Sequence, residues 1–177
     1  EIRRFSRLQQ LSLEKNKILF LSSDNFQGMP DLVVLDLASN KIRALPEDVF
    51  QSLDHLEFLS LSDNKIAVLP TALFQPLTHL WHLFLSGNDI VEIPAHGFDT
   101  LQNLRELHLD LNRIASVPQD FCRNLQYLEM LGLANNQIER FPADIFQPLR
   151  NLRTLDLADN HIVDLSPTSF KGLLHLE

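Results

Sequence analysis

The chain has 177 residues, of which 45% are hydrophobic, and it carries a formal net charge of -8 at pH 7. This composition suits one globular domain, and the acidic balance disfavours a nucleic-acid partner, because nucleic-acid binders usually present a basic surface. No apolar run is long enough to cross a bilayer, so we expect no membrane insertion within this segment.

A pattern of 24 residues repeats along the whole chain without insertion or deletion. The stretch LVVLDLASNKIRALPEDVFQSLDH shows the shared form LxxLxLxxNxIxxLPxxxFxxLxx, and we number positions 1 to 24 from its first leucine. Repetition in phase predicts a single domain, 1–177, built from stacked units. Partial units occupy 1–7 and 176–177, and full units occupy 8–31, 32–55, 56–79, 80–103, 104–127, 128–151 and 152–175.

Each unit begins with a predicted strand, because leucines at positions 4 and 6 alternate with polar or small residues. Stacking of the units predicts a parallel sheet that shows positions 3, 5 and 7 on its outward face. An asparagine at position 9 ends the strand, where its side chain can bond the backbone of the turn. These asparagines are Asn16, Asn40, Asn64, Asn88, Asn112, Asn136 and Asn160.

The second half of each unit returns the chain to the next strand. Proline at position 15 stiffens this return segment and forbids a long helix there. Phenylalanine at position 19 predicts a second apolar spine, formed by Phe26, Phe50, Phe74, Phe98, Phe146 and Phe170. The fifth unit places Cys122 in this slot, with Phe121 one residue earlier, and we expect a buried, inert thiol.

This pattern resembles the leucine-rich repeat family, and it is similar to the typical 24-residue class. That class fills ectodomains of Toll-like receptors, Slit proteins, small proteoglycans and variable lymphocyte receptors. The resemblance implies an α/β repeat solenoid, a right-handed arc with a concave parallel β-sheet and an irregular or short-helix convex side. It also implies an extracellular or cell-surface ectodomain. Because secreted members usually carry cysteine-rich caps and this chain has one cysteine, we expect an internal fragment that lacks both caps.

The chain contains none of the common catalytic or phosphate-binding motifs, so we expect neither an enzyme nor a cofactor. Two binding alternatives stay open. Imidazoles and carboxylates on the outward face could hold a divalent metal or could belong to a polar binding surface; they are His82, Glu106, His108 and Asp110. Basic residues after the asparagines could bind a glycosaminoglycan or could form a solvated edge; they are Lys17, Lys41, Lys65 and Arg113.

Large apolar and aromatic residues gather in the outward columns of the middle units. Interfaces concentrate their free energy in a few such anchors within a polar surround, so we predict that a protein partner docks on the concave face. The candidate binding residues are Val34, Phe58, Trp81, His82, Phe84, Glu106, His108, Asp110 and Met130. The alternative function is a structural scaffold segment of a larger extracellular assembly or an oligomer, with Phe58 and Phe84 shielding each other.

Overall fold

The computed structural model describes residues 5–177, so most of the partial unit 1–7 lies outside the described residues. Seven strands of three residues form one parallel sheet, in which sequence neighbours are also spatial neighbours. The strands are β1 (Gln10–Ser12), β2 (Val34–Asp36), β3 (Phe58–Ser60), β4 (His82–Phe84), β5 (Glu106–His108), β6 (Met130–Gly132) and β7 (Thr154–Asp156). The predicted repeat solenoid with a parallel sheet is therefore confirmed.

Equivalent positions of neighbouring units lie side by side across the sheet. Leu59 of β3 pairs with Leu83 of β4, which in turn pairs with Leu107 of β5. All three leucines are completely buried, as are the leucines at positions 1 and 6 of the same units. The middle residue of each central strand thus enters the core, and its two neighbours face outward.

The phenylalanines at position 19 form the second spine on the far side of the core. Phe26 lies 6.1 Å from Phe50 between ring centroids, and Phe74 lies 5.5 Å from Phe98. Phe170 was predicted to belong to this buried spine, and it does stack on the ring of Phe146. Its side chain is nevertheless 45% exposed, because in the last full unit only the preceding coil covers it.

Of the irregular or short-helix convex side that the resemblance implied, the structure shows turns, and the short helices are not supported: residues 5–177 include no α-helix. In the second unit, backbone hydrogen bonds of the i+3 type run from Val49 to Pro46, from Gln51 to Asp48 and from Leu53 to Phe50. Only every second N–H donates in this segment, and each donates to the residue three before it. The continuous i to i+4 bonding of an α-helix therefore does not form.

The core also uses position 18, which the repeat pattern alone does not reveal. Val49, Leu73 and Ile145 occupy this position and are buried. In the fifth unit Phe121 fills it and meets the ring of Phe98 edge-on, with the centroids 5.6 Å apart. Phe121 therefore replaces part of the volume that the spine loses at Cys122, whose thiol is buried as predicted.

Each buried asparagine joins two units. The amide of Asn64 donates to the carbonyl oxygens of Leu37 in the preceding unit and Leu61 in its own, both at 3.0 Å. Its oxygen accepts the backbone N–H of Ile42 at 3.0 Å. Since Asn64 is 1% exposed, these backbone groups have no access to water.

The residue before this asparagine, at position 8, adopts a left-handed backbone conformation in every unit, which the sequence analysis did not foresee. The φ angles lie between 51° and 68° at Lys15, Ser39, Asp63, Gly87, Leu111, Asn135 and Asp159. Gly87 meets this requirement without strain, and Asn135 and Asp63 belong to the residue types that tolerate it. Leu111 is the least suited to it and is also exposed, so the turn geometry prevails over the preference of the side chain.

We expect Asn64→Ala to lower the free energy of unfolding by about 3 kcal/mol or more, because several buried backbone groups lose their partners at once. The control is Asn16→Ala. Within the described residues the exposed Asn16 amide bonds only to Leu13 and Glu14 of its own turn, so this change should cost about 1 kcal/mol. Urea unfolding measures both, and equal losses would contradict the role given to the buried link.

We expect Phe98→Ala to destabilise the protein by about 3–5 kcal/mol through the cavity it leaves. Cys122→Ala should cost much less, because the thiol is small and Phe121 already packs against Phe98. Burial also raises the pKa of the Cys122 thiol, so the native protein should resist alkylation until it is unfolded. Urea melts and timed thiol labelling test this; equal destabilisation or rapid native labelling would disprove it.

Candidate functional site

The outward side of the sheet, which we call the sheet face, carries positions 3, 5 and 7 of each unit. It corresponds to the surface expected to be concave. Of the predicted binding residues, Trp81 is exposed and the others are half-buried. The half-buried candidates on this face are Val34, Phe58, His82, Phe84, Glu106, His108, Asp110 and Met130.

Four aromatic side chains from three neighbouring strands form a continuous aromatic row: His82, Phe58, Phe84 and His108. Phe58 lies 6.3 Å from His82 and 5.2 Å from Phe84, measured between ring centroids. The rings of Phe84 and His108 stack at 4.7 Å with planes 15° apart. Val34 borders the row beside Phe58 in the sheet register, and Met130 lies one strand beyond Glu106. The predicted apolar centre is thus brought together around Phe58 and Phe84.

Glu106 lies between the two histidines of this row. Its Oε2 is 3.3 Å from Nδ1 of His82 and 3.8 Å from Nε2 of His108. However, on the sheet face of residues 5–177 no three His, Cys, Asp or Glu ligand atoms lie within 4.8 Å of one another. The four candidate ligands of this face therefore do not converge as a three-ligand group, and the carboxylates and imidazoles form a polar border to the aromatic row.

Asp110 links the sheet face to the backbone of the following unit. Its Oδ1 accepts the backbone N–H of Ala134 at 2.9 Å. Its carboxylate occupies the space that a Cβ at residue 132 would need, so Gly132 leaves room for it and a side chain there would displace the Asp110 carboxylate. Burial by itself raises the pKa of Asp110, but the neighbouring His108 imidazole and the Ala134 N–H outweigh it and lower the pKa. Asp110 is thus a fixed negative charge beside His108.

Trp81 lies at the flank of the sheet face, in contact with a charged residue of position 2 in the next unit. The guanidinium of Arg105 lies 5.5 Å from the centre of the indole, a cation–π distance, and also approaches Glu129 at 3.4 Å. Arg105 and Glu129, with Tyr127, Asn151, Arg153 and His175, line a shallow depression beside the sheet. The pattern of position 2 already places Arg105, Glu129 and Arg153 on this flank, and position 24 adds Tyr127, Asn151 and His175.

The charge of the sheet face and its flanks is strongly negative: positions 2 to 8 of the seven full units hold nine acids and three bases. Lys15 pairs with Glu14 at 2.8 Å, and Arg105 and Arg153 both approach Glu129. Among the described residues, the other acids have no lysine or arginine partner within ion-pair distance; they are Asp36, Glu57, Asp63, Glu106, Asp110, Asp156 and Asp159. A positively charged ligand would therefore find unneutralised carboxylates around the aromatic row.

The basic edge considered as an anion site is interrupted in the structure. Lys17, Lys41 and Lys65 are exposed at successive turns, but Asp89 takes the next place. Its carboxylate pairs with Arg113 at 2.8 Å. This pairing removes the fourth cation from the run and favours the interpretation as a solvated edge.

Comparison with known proteins agrees with this architecture. The sequence profile of the family described as leucine rich repeat matches residues 6–66, 35–90, 59–114 and 102–162. No curated protein matches the chain closely enough to count as a relative. Within residues 5–177 there is no helix of the length and apolarity that crossing a membrane requires.

Three solved structures share the fold over nearly the whole chain. The TLR13–ssRNA13 complex is 35% identical over 95% of this chain, with a TM-score of 0.88. A leucine-rich repeat protein of Leptospira interrogans is 32% identical over 99%, with a TM-score of 0.86. The Toll–Spatzle complex of Drosophila is 26% identical over 90%, with a TM-score of 0.85.

This chain spans 24%, 44% and 23% of those three chains, so it corresponds to only part of each. The profile matches, which together run from residue 6 to residue 162, cover well over half of the sequence. The 24-residue units, the parallel sheet and these matches agree, and the chain belongs to the leucine-rich repeat family.

Proposed function

We propose that this chain is a protein-recognition module whose partner docks on the concave surface formed by the sheet face. The observation that carries the proposal is the aromatic row of Phe58, His82, Phe84 and His108, half-exposed in the middle of the sheet. Aromatic groups at the centre of a surface act as anchors when a partner removes them from water. Val34 and Met130 extend the apolar area on either side.

The partner that fits this surface has an apolar centre and a basic rim. Unneutralised carboxylates, including Glu106 and Asp110 beside the histidines, surround the aromatic row. Opposite charges at a rim steer the encounter of two proteins and disfavour partners of like charge. The same charge disfavours RNA, whose phosphates a binding protein must neutralise with lysine and arginine.

The setting that we propose is extracellular, in a receptor or a secreted carrier. The likeness to the TLR13 and Toll structures supports this, as does the 24-residue repeat class. The specific observation in favour of a scaffold segment without a separate ligand is the 5.2 Å contact between Phe58 and Phe84, which lets the two rings shield each other. Peptide binding and the melting temperatures of anchor variants separate the two functions.

We expect a display library of short random peptides, panned against the protein, to yield peptides with apolar or aromatic residues flanked by lysine and arginine. Phe58→Ala and Phe84→Ala should each weaken binding of the selected peptides by roughly thirtyfold, which corresponds to about 2 kcal/mol per anchor. Titration calorimetry measures the affinities. The matched control is Phe20→Ala, because Phe20 is 72% exposed and lies outside the strands, so this change should leave binding intact.

Melting temperatures of the same variants distinguish recognition from a scaffold role. If the chain is a scaffold, Phe58→Ala and Phe84→Ala should lower the melting temperature. In that case panning should yield no peptides whose binding requires Phe58 or Phe84. The proposal would also be contradicted if changes on the return side, such as Glu47→Ala or Arg150→Ala, abolished peptide binding while Phe58→Ala and Phe84→Ala left it intact. Binding of a fluorescent single-stranded oligoribonucleotide at physiological salt would overturn the expectation that the partner is not a nucleic acid.

A further inference from the structure

A second group of ionisable side chains converges on the return side, away from the sheet face. His96 and Asp99 belong to the turns of the fourth unit, and Asp120 occupies in the fifth unit the same position, 17, that His96 occupies in the fourth. Nδ1 of His96 lies 3.0 Å from Oδ2 of Asp99 and 2.8 Å from Oδ2 of Asp120. All three potential ligand atoms lie within 4.8 Å of one another.

We propose that His96, Asp99 and Asp120 bind a divalent transition-metal ion of the zinc type between the fourth and fifth units. Zinc takes imidazole nitrogen at about 2.0–2.1 Å and carboxylate oxygen at about 2.0–2.2 Å, so neighbouring ligand atoms of a tetrahedral ion lie about 3.4 Å apart. The separations of 2.8 and 3.0 Å from Nδ1 require only small side-chain rotations to reach that spacing.

The charges of the cluster favour a cation over a simple hydrogen-bonded arrangement. Nδ1 of His96 carries at most one proton, which it can donate well to only one of the two carboxylates at a time. In the part of the chain that the structure describes, neither Asp99 nor Asp120 lies within ion-pair distance of a lysine or arginine. Their side chains are 34% and 19% exposed, so water screens their mutual repulsion only in part. A divalent ion neutralises both.

The backbone that carries these side chains is held in place by the stacking of the units. Gly97 donates its N–H to Pro94 at 3.1 Å, which closes the turn that contains His96. The side-chain amide of Asn124, in the fifth unit, donates to the carbonyl oxygen of Asp99 at 3.0 Å. The two units that contribute ligands are therefore fixed to each other, and such preorganisation lowers the cost of ordering the ligands around an ion.

The donor set also selects the type of ion. An imidazole nitrogen suits zinc, copper, nickel and cobalt, whereas calcium and magnesium prefer sites made of oxygen alone. Three protein ligands leave one position of a tetrahedral ion open, for water or for a group of another molecule.

Titration of the metal-free chain with zinc chloride in a calorimeter should show a single bound ion per chain. Isosteric changes Asp99→Asn and Asp120→Asn should each weaken zinc binding about tenfold or more, and His96→Gln should do the same. The matched control is His55→Gln. His55 lies 3.5 Å from one carboxylate, that of Asp54, and belongs to no three-ligand group, so its loss should leave zinc affinity unchanged.

Cobalt provides a readout that needs no variant. Addition of Co²⁺ to the wild-type chain should shift the NMR signals of the His96 ring and leave those of His82 and His108 in place. The proposal is overturned if zinc does not bind, if Asp99→Asn and Asp120→Asn bind it as tightly as the wild type, or if Co²⁺ perturbs the sheet-face histidines instead. Calcium or magnesium binding as tight as that of zinc would also overturn it, because the imidazole would then contribute nothing.

Discussion

The asparagine amide at position 9 of each central unit donates to the carbonyl groups of two units and accepts a backbone N–H from the earlier one. Asn64 and Asn112 repeat this geometry with bond lengths that agree within about 0.1 Å. Because the groups it satisfies are buried, no other spacing of the coils satisfies them equally well. The side chain thereby sets the register between units, and the parallel sheet inherits that register.

A fixed register decides which side chains can touch on the surface. Phe58, Phe84 and His108 come from three successive units, at least 24 residues apart in the chain. Their rings are nevertheless in contact: the centroids of Phe58 and Phe84 lie 5.2 Å apart, and those of Phe84 and His108 lie 4.7 Å apart. The same register places His96 beside Asp120 on the opposite side. Each cluster joins residues that the stacking of units brings together, and each also contains a pair close in the chain: His82 with Phe84, and His96 with Asp99. Substitutions at the surface positions can therefore change binding chemistry while the asparagines and leucines preserve the spacing.

The repeat pattern predicted the features that depend on the stacking of units. It did not predict the features that depend on local backbone conformation. The leucine core, the outward columns, the phenylalanine spine and the burial of Cys122 followed from the period alone. Of the irregular or short-helix return side, the short helices do not form in residues 5–177, because alternating i+3 bonds after each proline end every helical turn. The left-handed conformation at position 8 escaped notice because residues as different as Lys15, Gly87 and Leu111 adopt it. Phe170 is 45% exposed although it occupies the same repeat position as the buried Phe146, a difference that a periodic pattern does not express.

The residues of the sheet face differ in how far a role in folding can be separated from the proposed role in recognition. Asp110 faces solvent beside His108, but its carboxylate also satisfies the N–H of Ala134 and occupies the space over Gly132. Removing it would leave a backbone donor of the next unit without its partner, so a loss of binding would combine a contact effect with a displaced strand. Phe58 and Phe84 make no hydrogen bonds through their side chains, and their backbone pairing does not depend on the ring. Their rings are therefore the positions at which this surface can vary without disturbing the register beneath it, which is the property expected of residues that determine partner choice.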